Sequence, residues 1–271
     1  MPELPEVETT RRGLLPLAAG RHIKQVVIRD PRLRWPVPAT LPARVRGHRI
    51  ETLTRRGKYL LFDLDDASSL IVHLGMSGSL RAVRAAEPPA AHEAFDLCLD
   101  SGWCLRMRDP RRFGALLWAA DARAHPLLAH LGPEPLGGAL AGDLLYEASR
   151  RRTVAVRDFL IDSHVIAGIG NIYANEALFT AGIDPRRAAG RIGRTRYRRL
   201  SYAVIRVLED AIAQGGTTLR DFAGGDGRPG HFQMALRVYG RAGEPCPGCG
   251  APVMRQTLSG RSCFFCRHCQ R

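Results

Sequence analysis

The chain has 271 residues, 45% of them hydrophobic, enough for two modest cores and more than one small core needs. No run of about 18 apolar residues occurs and no basic-then-apolar leader opens the chain, so membrane insertion and export are set aside and a cytoplasmic protein without a membrane partner is expected. The formal net charge of +14 calls instead for a polyanionic partner, most economically nucleic acid, because distributed positive charge neutralises phosphates.

The opening MPELPEVETTRRG predicts a helix. Prolines and glutamates suit a first helical turn, and Leu4, Val7, Arg11 and Leu14 make one stripe that ends near Gly13 and Pro16. Three glutamates among the first eight residues are nonetheless odd in so basic a chain. From His22 to Trp118 six short alternating or apolar runs follow: IKQVVIR, YLLFDLD, SLIVHLG, FDLCLD, WCLRMRD and FGALLWA. Their even spacing predicts an antiparallel sandwich or barrel with the opening helix alongside. Met76 and Phe113, flanked by such runs, read on pattern alone as core residues. The boundary falls at GPEPLGG, residues 132–138. Beyond it VAVRDFLID, NIYANEALFTAG and TRYRRLSYAVIRVLEDAIAQGG carry helical periodicity, the last with Tyr197, Leu200, Val204, Val207, Leu208, Ala211 and Ile212 on one face and Gly215-Gly216 as its stop. The glycine-rich GGDGRPGHFQ, residues 224–233, reads as an exposed flexible loop.

Cys246 and Cys249 are two residues apart, as are Cys266 and Cys269, with sixteen residues between the pairs. Each pair on a tight turn aims two thiolates at one point, and four complete the tetrahedral shell of a structural zinc ion, one per chain; iron is the alternative occupant. Disulfides compete poorly in a cytoplasmic setting, and Cys98, Cys104 and Cys263 read as ordinary thiols. A four-thiolate shell keeps no open position, so the metal would hold a hairpin whose tip, LSGRSCFF, presents Arg261.

The chain has 38 arginines and two lysines, Lys24 and Lys58. Guanidinium cannot give up a proton near neutrality whereas an ammonium can be tuned, so Lys58 draws attention. Removal of the initiator methionine would make Pro2 a secondary amine with a pKa nearer about 8 than the lysine value of about 10.4, a ready nucleophile at neutral pH. Attack on a sugar C1′ would create an iminium, and carboxylates at Glu3 and Glu6 could move protons and stabilise that charge.

At this point the chain resembles the bacterial formamidopyrimidine-DNA glycosylase family end to end, through PELPEVE, RRGKYLLF, HLGMSGSL, DPRRFG, HLGPEP, GIGNIYANEALF, QGGTTLRDF, LRVYGR and the closing cysteine ribbon. The resemblance implies an α+β multidomain protein. Its parts would be an N-terminal antiparallel β-sandwich with flanking helices (1–131), a linker (132–138), a helix-two-turn-helix domain (139–223), a lesion-recognition loop (224–235) and a zinc ribbon (236–271). It implies a monomeric, nucleoid-associated glycosylase and abasic-site lyase acting on duplex DNA that contains 8-oxoguanine, formamidopyrimidines or abasic sites. Pro2 would be the Schiff-base nucleophile, Glu3 the general acid and Glu6 its support. Lys58 would drive β-elimination and Arg261 assist δ-elimination. Met76, Arg111 and Phe113 would fill the gap left by the extruded base, because a base must leave the stack before a pocket can read it. Asn171 and Arg261 would contact phosphates, with Asn171 also capping a helix; His92 and Arg152 would make further DNA contacts. Arginine stands where lysine is usual at Arg151 and Arg152, and His231 stands where a bulkier aromatic is common. A sister glycosylase for oxidised pyrimidines, expected to begin PEGPE, and a non-enzymatic zinc-ribbon DNA-binding protein are the competing readings.

Overall fold

The computed structural model describes residues 1–138, 140–216 and 235–271. The expected loop at 224–235, except Ala235, and His231 within it lie outside the described residues. The described residues form two compact units, one of Met1–Ala129 with 212–216, the other of His130–Ala211 with 235–271.

The first unit opens with α1 (Leu4–Ala18). Glu3 is its N-cap and closes a capping box with Glu6: each carboxylate accepts a hydrogen bond from the other's backbone N–H, with Glu3 N–H to Glu6 Oε2 at 2.8 Å. The helix runs two residues past the expected end at Pro16: the proline's fixed φ is compatible with a helix, and its cost falls on the preceding turn, where the carbonyl of Arg12 loses its N–H partner. After it come β1 (Ile23–Ile28), α2 (Leu41–Val45), β2 (Ile50–Arg56), β3 (Tyr59–Leu64), β4 (Ser69–His73), β5 (Ser79–Arg84), β6 (Glu93–Leu99), β7 (Trp103–Arg108), β8 (Ala115–Ala119) and α3 (Pro126–Ala129). Two four-stranded antiparallel sheets result, ordered β1-β6-β7-β5 and β2-β3-β4-β8. Leu53, Phe62 and Val72 from one sheet and Leu80, Phe95 and Met107 from the other share a core with Val7 and Leu14 of α1. The run-by-run reading did not single out β2 and β5, whose threonines and arginines dilute the apolar pattern of strands buried on one side.

Pairing between β6 and β7 also corrects the reading of two cysteines. Cys98 and Cys104 occupy partner positions with Cα atoms 4.0 Å apart, and their sulfurs are joined in a disulfide. Six residues of separation in sequence carry no register; the sheet supplies it. Two pairs along, Asp96 faces Arg106, whose fully buried guanidinium donates from Nε and a terminal nitrogen at 2.8 and 2.9 Å.

The second unit contains α4 (Gly142–Ser149), α5 (Val156–Ile161), α6 (Asn171–Thr180) and all but the last two residues of α7 (Arg194–Ala213), followed by the hairpin β9 (Met254–Leu258) and β10 (Arg261–Phe265). Of the face its periodicity predicts, Tyr197, Leu200, Val204, Leu208, Ala211 and Ile212 are buried along α7 and Val207 is half-buried at its edge. The helix stops at Ala213 and is followed by Gly215 and Gly216 at φ +76° and +80°, the left-handed conformation expected beyond a helix end. No helix among the described residues is long and apolar enough to cross a membrane.

One ionic cluster locks α1 onto its sheet. The carboxylate of Glu8 accepts from Arg11 Nε at 3.0 Å, Arg12 Nε at 2.9 Å and Arg55 Nε at 3.1 Å. Burial raises its pKa, but the guanidiniums outweigh that and bring it down to about 2 from the ordinary 4.5. Because the folded value lies below the unfolded one, this stabilisation is complete above about pH 4.5 and fades as pH falls toward 2. Glu8→Gln is expected to lower the unfolding free energy by about 2 kcal/mol at pH 7. In urea titrations across pH, the gap from the parent protein should close between the two pKa values.

Candidate active site and nucleic-acid interface

In the first unit, residues distant in sequence gather around the chain's first turn. Glu3 and Glu6 are buried by the capping box, and Gly216 passes over Glu6 so closely that a Cβ there would lie 3.1 Å from Oε1. The N-terminal amine sits in the fields of Glu3, Glu6, Lys58 and Arg111; burial is the largest influence and pushes its pKa below 8.0. Pro2 is buried and its nitrogen is here an amide, since Met1 precedes it. Lys58, half-buried, follows Gly57 in the two-residue turn between Arg56 and Tyr59, the last pair of β2 and β3. Gly57 adopts φ +56°, which favours glycine in such a turn.

Two loops beside this turn carry the expected gap-filling residues. Met76 and Phe113 are 40% and 43% exposed, so the pattern-based assignment to the core is wrong for both. They stay outside because their loops meet backbone to backbone: a Cβ on Gly75, at φ +69°, would lie 2.5 Å from the nitrogen of Gly114. Asp109 folds the second loop by accepting the N–H of Gly114 at 2.7 Å, and Arg111 lies over the Phe113 ring at 5.0 Å. The backbone N–H of Asp109 reaches the carbonyl of exposed His92, a residue held at φ +68°.

His73, at the end of β4, underlies the first loop. Its Nδ1 accepts the N–H of Gly75 at 3.0 Å, which places the ring proton on Nε2, and the ring packs 4.8 Å from that of Tyr59. Burial, then the charges of Lys58 and Arg34, bring its pKa down to about 4. The imidazole is therefore neutral at physiological pH.

The second unit builds a separate constellation. Asn171 is the first residue of α6 rather than its cap, which is Gly170. Its Oδ1 accepts from Arg157 at 3.0 Å and its Nδ2 donates to the carbonyl of Ser262 at 2.8 Å, leaving one amide hydrogen uncommitted by these two bonds. Arg157 is fully buried and also holds the carbonyl of Leu258 at 2.7 Å. The β9–β10 turn follows, with Ser259 and Gly260 both at positive φ and exposed Arg261 next. Glu176 on α6 accepts the N–H groups of Arg237, Val238 and Tyr239 at 2.8–3.0 Å, tying down LRVYGR. Arg152 is exposed at the chain reversal after α4.

The four sulfurs of Cys246, Cys249, Cys266 and Cys269 lie within 4.8 Å of one another, with Cys246–Cys269 at 3.8 Å and Cys249–Cys266 at 3.5 Å. A tetrahedron with metal–sulfur bonds of about 2.3 Å has edges of about 3.8 Å, so the cluster fits a metal of zinc's size and ligand preference.

Glu8, Arg55, His73, Asp109, Arg157 and Glu176 were missed in the sequence. Glu8 left a signal there as the third acid of the opening trio, and Arg55, His73, Asp109 and Glu176 lie inside motifs that carry the family resemblance, but nothing in those motifs told what each side chain holds.

The formamidopyrimidine-DNA glycosylase N-terminal domain matches residues 1–116, and the formamidopyrimidine-DNA glycosylase H2TH domain matches residues 131–223. The chain is 57% identical to the formamidopyrimidine-DNA glycosylase of Stutzerimonas stutzeri (strain A1501) and 55% identical to that of Acidithiobacillus ferrooxidans, over 100% of both chains in each case. Among solved structures, the MutM (FPG) protein of Thermus thermophilus superposes with a TM-score of 0.89 at 43% identity, covering 99% of this chain and 98% of that one. A Lactococcus lactis FPG mutant in complex with Fapy-dG containing DNA gives 0.92 at 32% identity over 100% of both chains.

Gly75→Ala puts a Cβ into backbone at a φ that side chains rarely adopt. It is expected to cost about 2–3 kcal/mol in denaturant unfolding.

Proposed function

Because the chain belongs to the formamidopyrimidine-DNA glycosylase family, we propose that it excises oxidised purines, 8-oxoguanine and formamidopyrimidines, from duplex DNA and then cleaves the strand as an abasic-site lyase. The observation that carries this reading is the convergence of Glu3, Glu6, Lys58 and Arg111 on the N-terminal amine. Loss of Met1 would hand that environment to the secondary amine of Pro2.

The unprotonated Pro2 nitrogen attacks C1′, the bond from C1′ to the base breaks and the base leaves with the proton the amine gives up, and the C1′–O4′ bond then opens as Glu3 protonates O4′. The product is an iminium between Pro2 and C1′, whose positive charge Glu3 and Glu6 stabilise. Lys58 assists removal of a C2′ proton, the electron pair moves toward the iminium, and the C3′–O bond breaks; Arg261 assists loss of the C5′ oxygen in the second elimination. An amine in a buried, partly cationic setting suits this role because its lowered pKa leaves more of it unprotonated near neutrality.

Met76, Arg111 and Phe113 fill the space vacated by the flipped base, and their exposure on glycine-pinned loops supports that role. Asn171 and Arg261 hold backbone phosphates, with His92 and Arg152 adding contacts. The net charge of +14 makes this binding salt-dependent. Cys246, Cys249, Cys266 and Cys269 would hold one zinc ion, which supplies no chemistry and closes the ribbon that presents Arg261. The protein would act as a cytoplasmic monomer at the nucleoid.

Borohydride reduction on 8-oxoguanine duplex should trap a covalent complex with the parent protein, and Pro2→Gly should trap at least about 100-fold less. Normal trapping by that variant, or an intact mass that retains Met1 in active protein, would remove Pro2 from the reaction. Stripping the metal with a chelator should weaken duplex binding at least about 10-fold, with zinc restoring it; unchanged binding after verified metal loss would contradict a structural ribbon.

A further inference from the structure

We propose that Arg55, anchored by Glu8, is a positioning residue that sets where Lys58 stands relative to the chain's N-terminus. The inference rests on the reading of Lys58 as a participant in the reaction. Its own basis is a bridge between α1 and the β2–β3 turn.

A carboxylate has about four acceptor positions, and Glu8 fills them: Arg11 donates at 3.0 and 2.8 Å, Arg12 at 2.9 Å and Arg55 at 3.1 Å. Arg11 and Arg12 lie three and four residues along the same helix, and such pairs are enough to neutralise an acid on a helix surface. Arg55 comes from 47 residues away and its side chain is only 9% exposed. Desolvating a third guanidinium beside two others carries an energetic penalty, and helix formation alone does not require it.

The rest of that guanidinium shows what the arrangement accomplishes. Arg55 Nη1 donates to the carbonyl of Gly57 at 2.9 Å, the residue immediately before Lys58. One rigid, planar group thus bonds to the helix through Nε and to the turn through Nη1, which fixes a direction as well as a distance. Arg11 adds a parallel tie to the carbonyl of Leu53 on β2 at 3.3 Å. Glu8 lies five residues after Glu3, about 7.5 Å along the helix axis. The helix carrying Glu3, Glu6 and the amine is therefore joined to the turn carrying Lys58 through a few short bonds.

Because the chain has two lysines, protein labelled with 13C and 15N at the lysine side chains gives one signal for Lys24 and one for Lys58. Arg55→Ala should displace or broaden the Lys58 signal and leave that of Lys24 in place. Under single-turnover conditions on 8-oxoguanine duplex it should slow the reaction about 10- to 100-fold while the duplex Kd changes less than about 3-fold. In a Lys58→Ala background the same substitution should cost nothing further, and Arg55→Lys, which keeps the charge but cannot hold two acceptors in one plane, should restore only part of the rate. An unmoved Lys58 signal, or penalties that multiply in the double variant, would overturn the proposal. If Lys58→Ala alone left the rate unchanged, the reading of Lys58 in the reaction would fall, and the lysine signal would still decide whether Arg55 sets its place. Should Arg55→Ala not fold, Arg55→Lys and Glu8→Gln carry the same measurements.

Discussion

The first turn of α1 is the constraint on which the candidate active site depends. Glu3 and Glu6 are almost completely buried, an expensive state for two carboxylates unless each finds donors, and each finds the other's backbone N–H. The same turn is the positive end of the helix dipole, which favours negative charge there. A chain terminus is normally the loosest part of a domain. Here it is clamped by its own acids, and a turn later the arginines Arg11, Arg12 and Arg55 neutralise the third acid, Glu8.

A second principle recurs at the exposed residues. Met76 and Phe113 present apolar surface to solvent without collapsing inward because Gly75 and Gly114 let two backbones touch. A neutral His73 fastens one loop and Asp109 the other, each through a backbone N–H. In the second unit, buried Arg157 serves Asn171 and the ribbon turn in the same manner, bonding the Asn171 amide oxygen and the carbonyl of Leu258. In all three places a buried polar group shapes backbone so that an exposed side chain needs little ordering when it binds, which is where preorganisation contributes to affinity and rate.

Much of this was legible beforehand. The helix start, the six strand runs, the buried face of α7 and the four-cysteine spacing are properties of local periodicity or of fixed offsets, and chain order preserves both. Pattern reading failed where the partner lay across a sheet or on another element. Cys98 and Cys104 look like unrelated thiols until register pairs them, and Met76 and Phe113 look like core until two glycines bring their loops together.

By itself, then, the sequence determined which chemistry is available: an amine that can be freed beside two acids, a lysine among arginines, and four thiolates at metal spacing. Only the tertiary structure decided which of these meet. Arg55 bonds at once to Glu8 on the helix and to the carbonyl of Gly57 in the turn that carries Lys58, and Asn171 accepts from an arginine that reaches the ribbon 101 residues further along the chain. Contacts of that range depend on strand register and helix packing, which arise from burial summed over the whole core and leave no trace in the spacing of the residues they join.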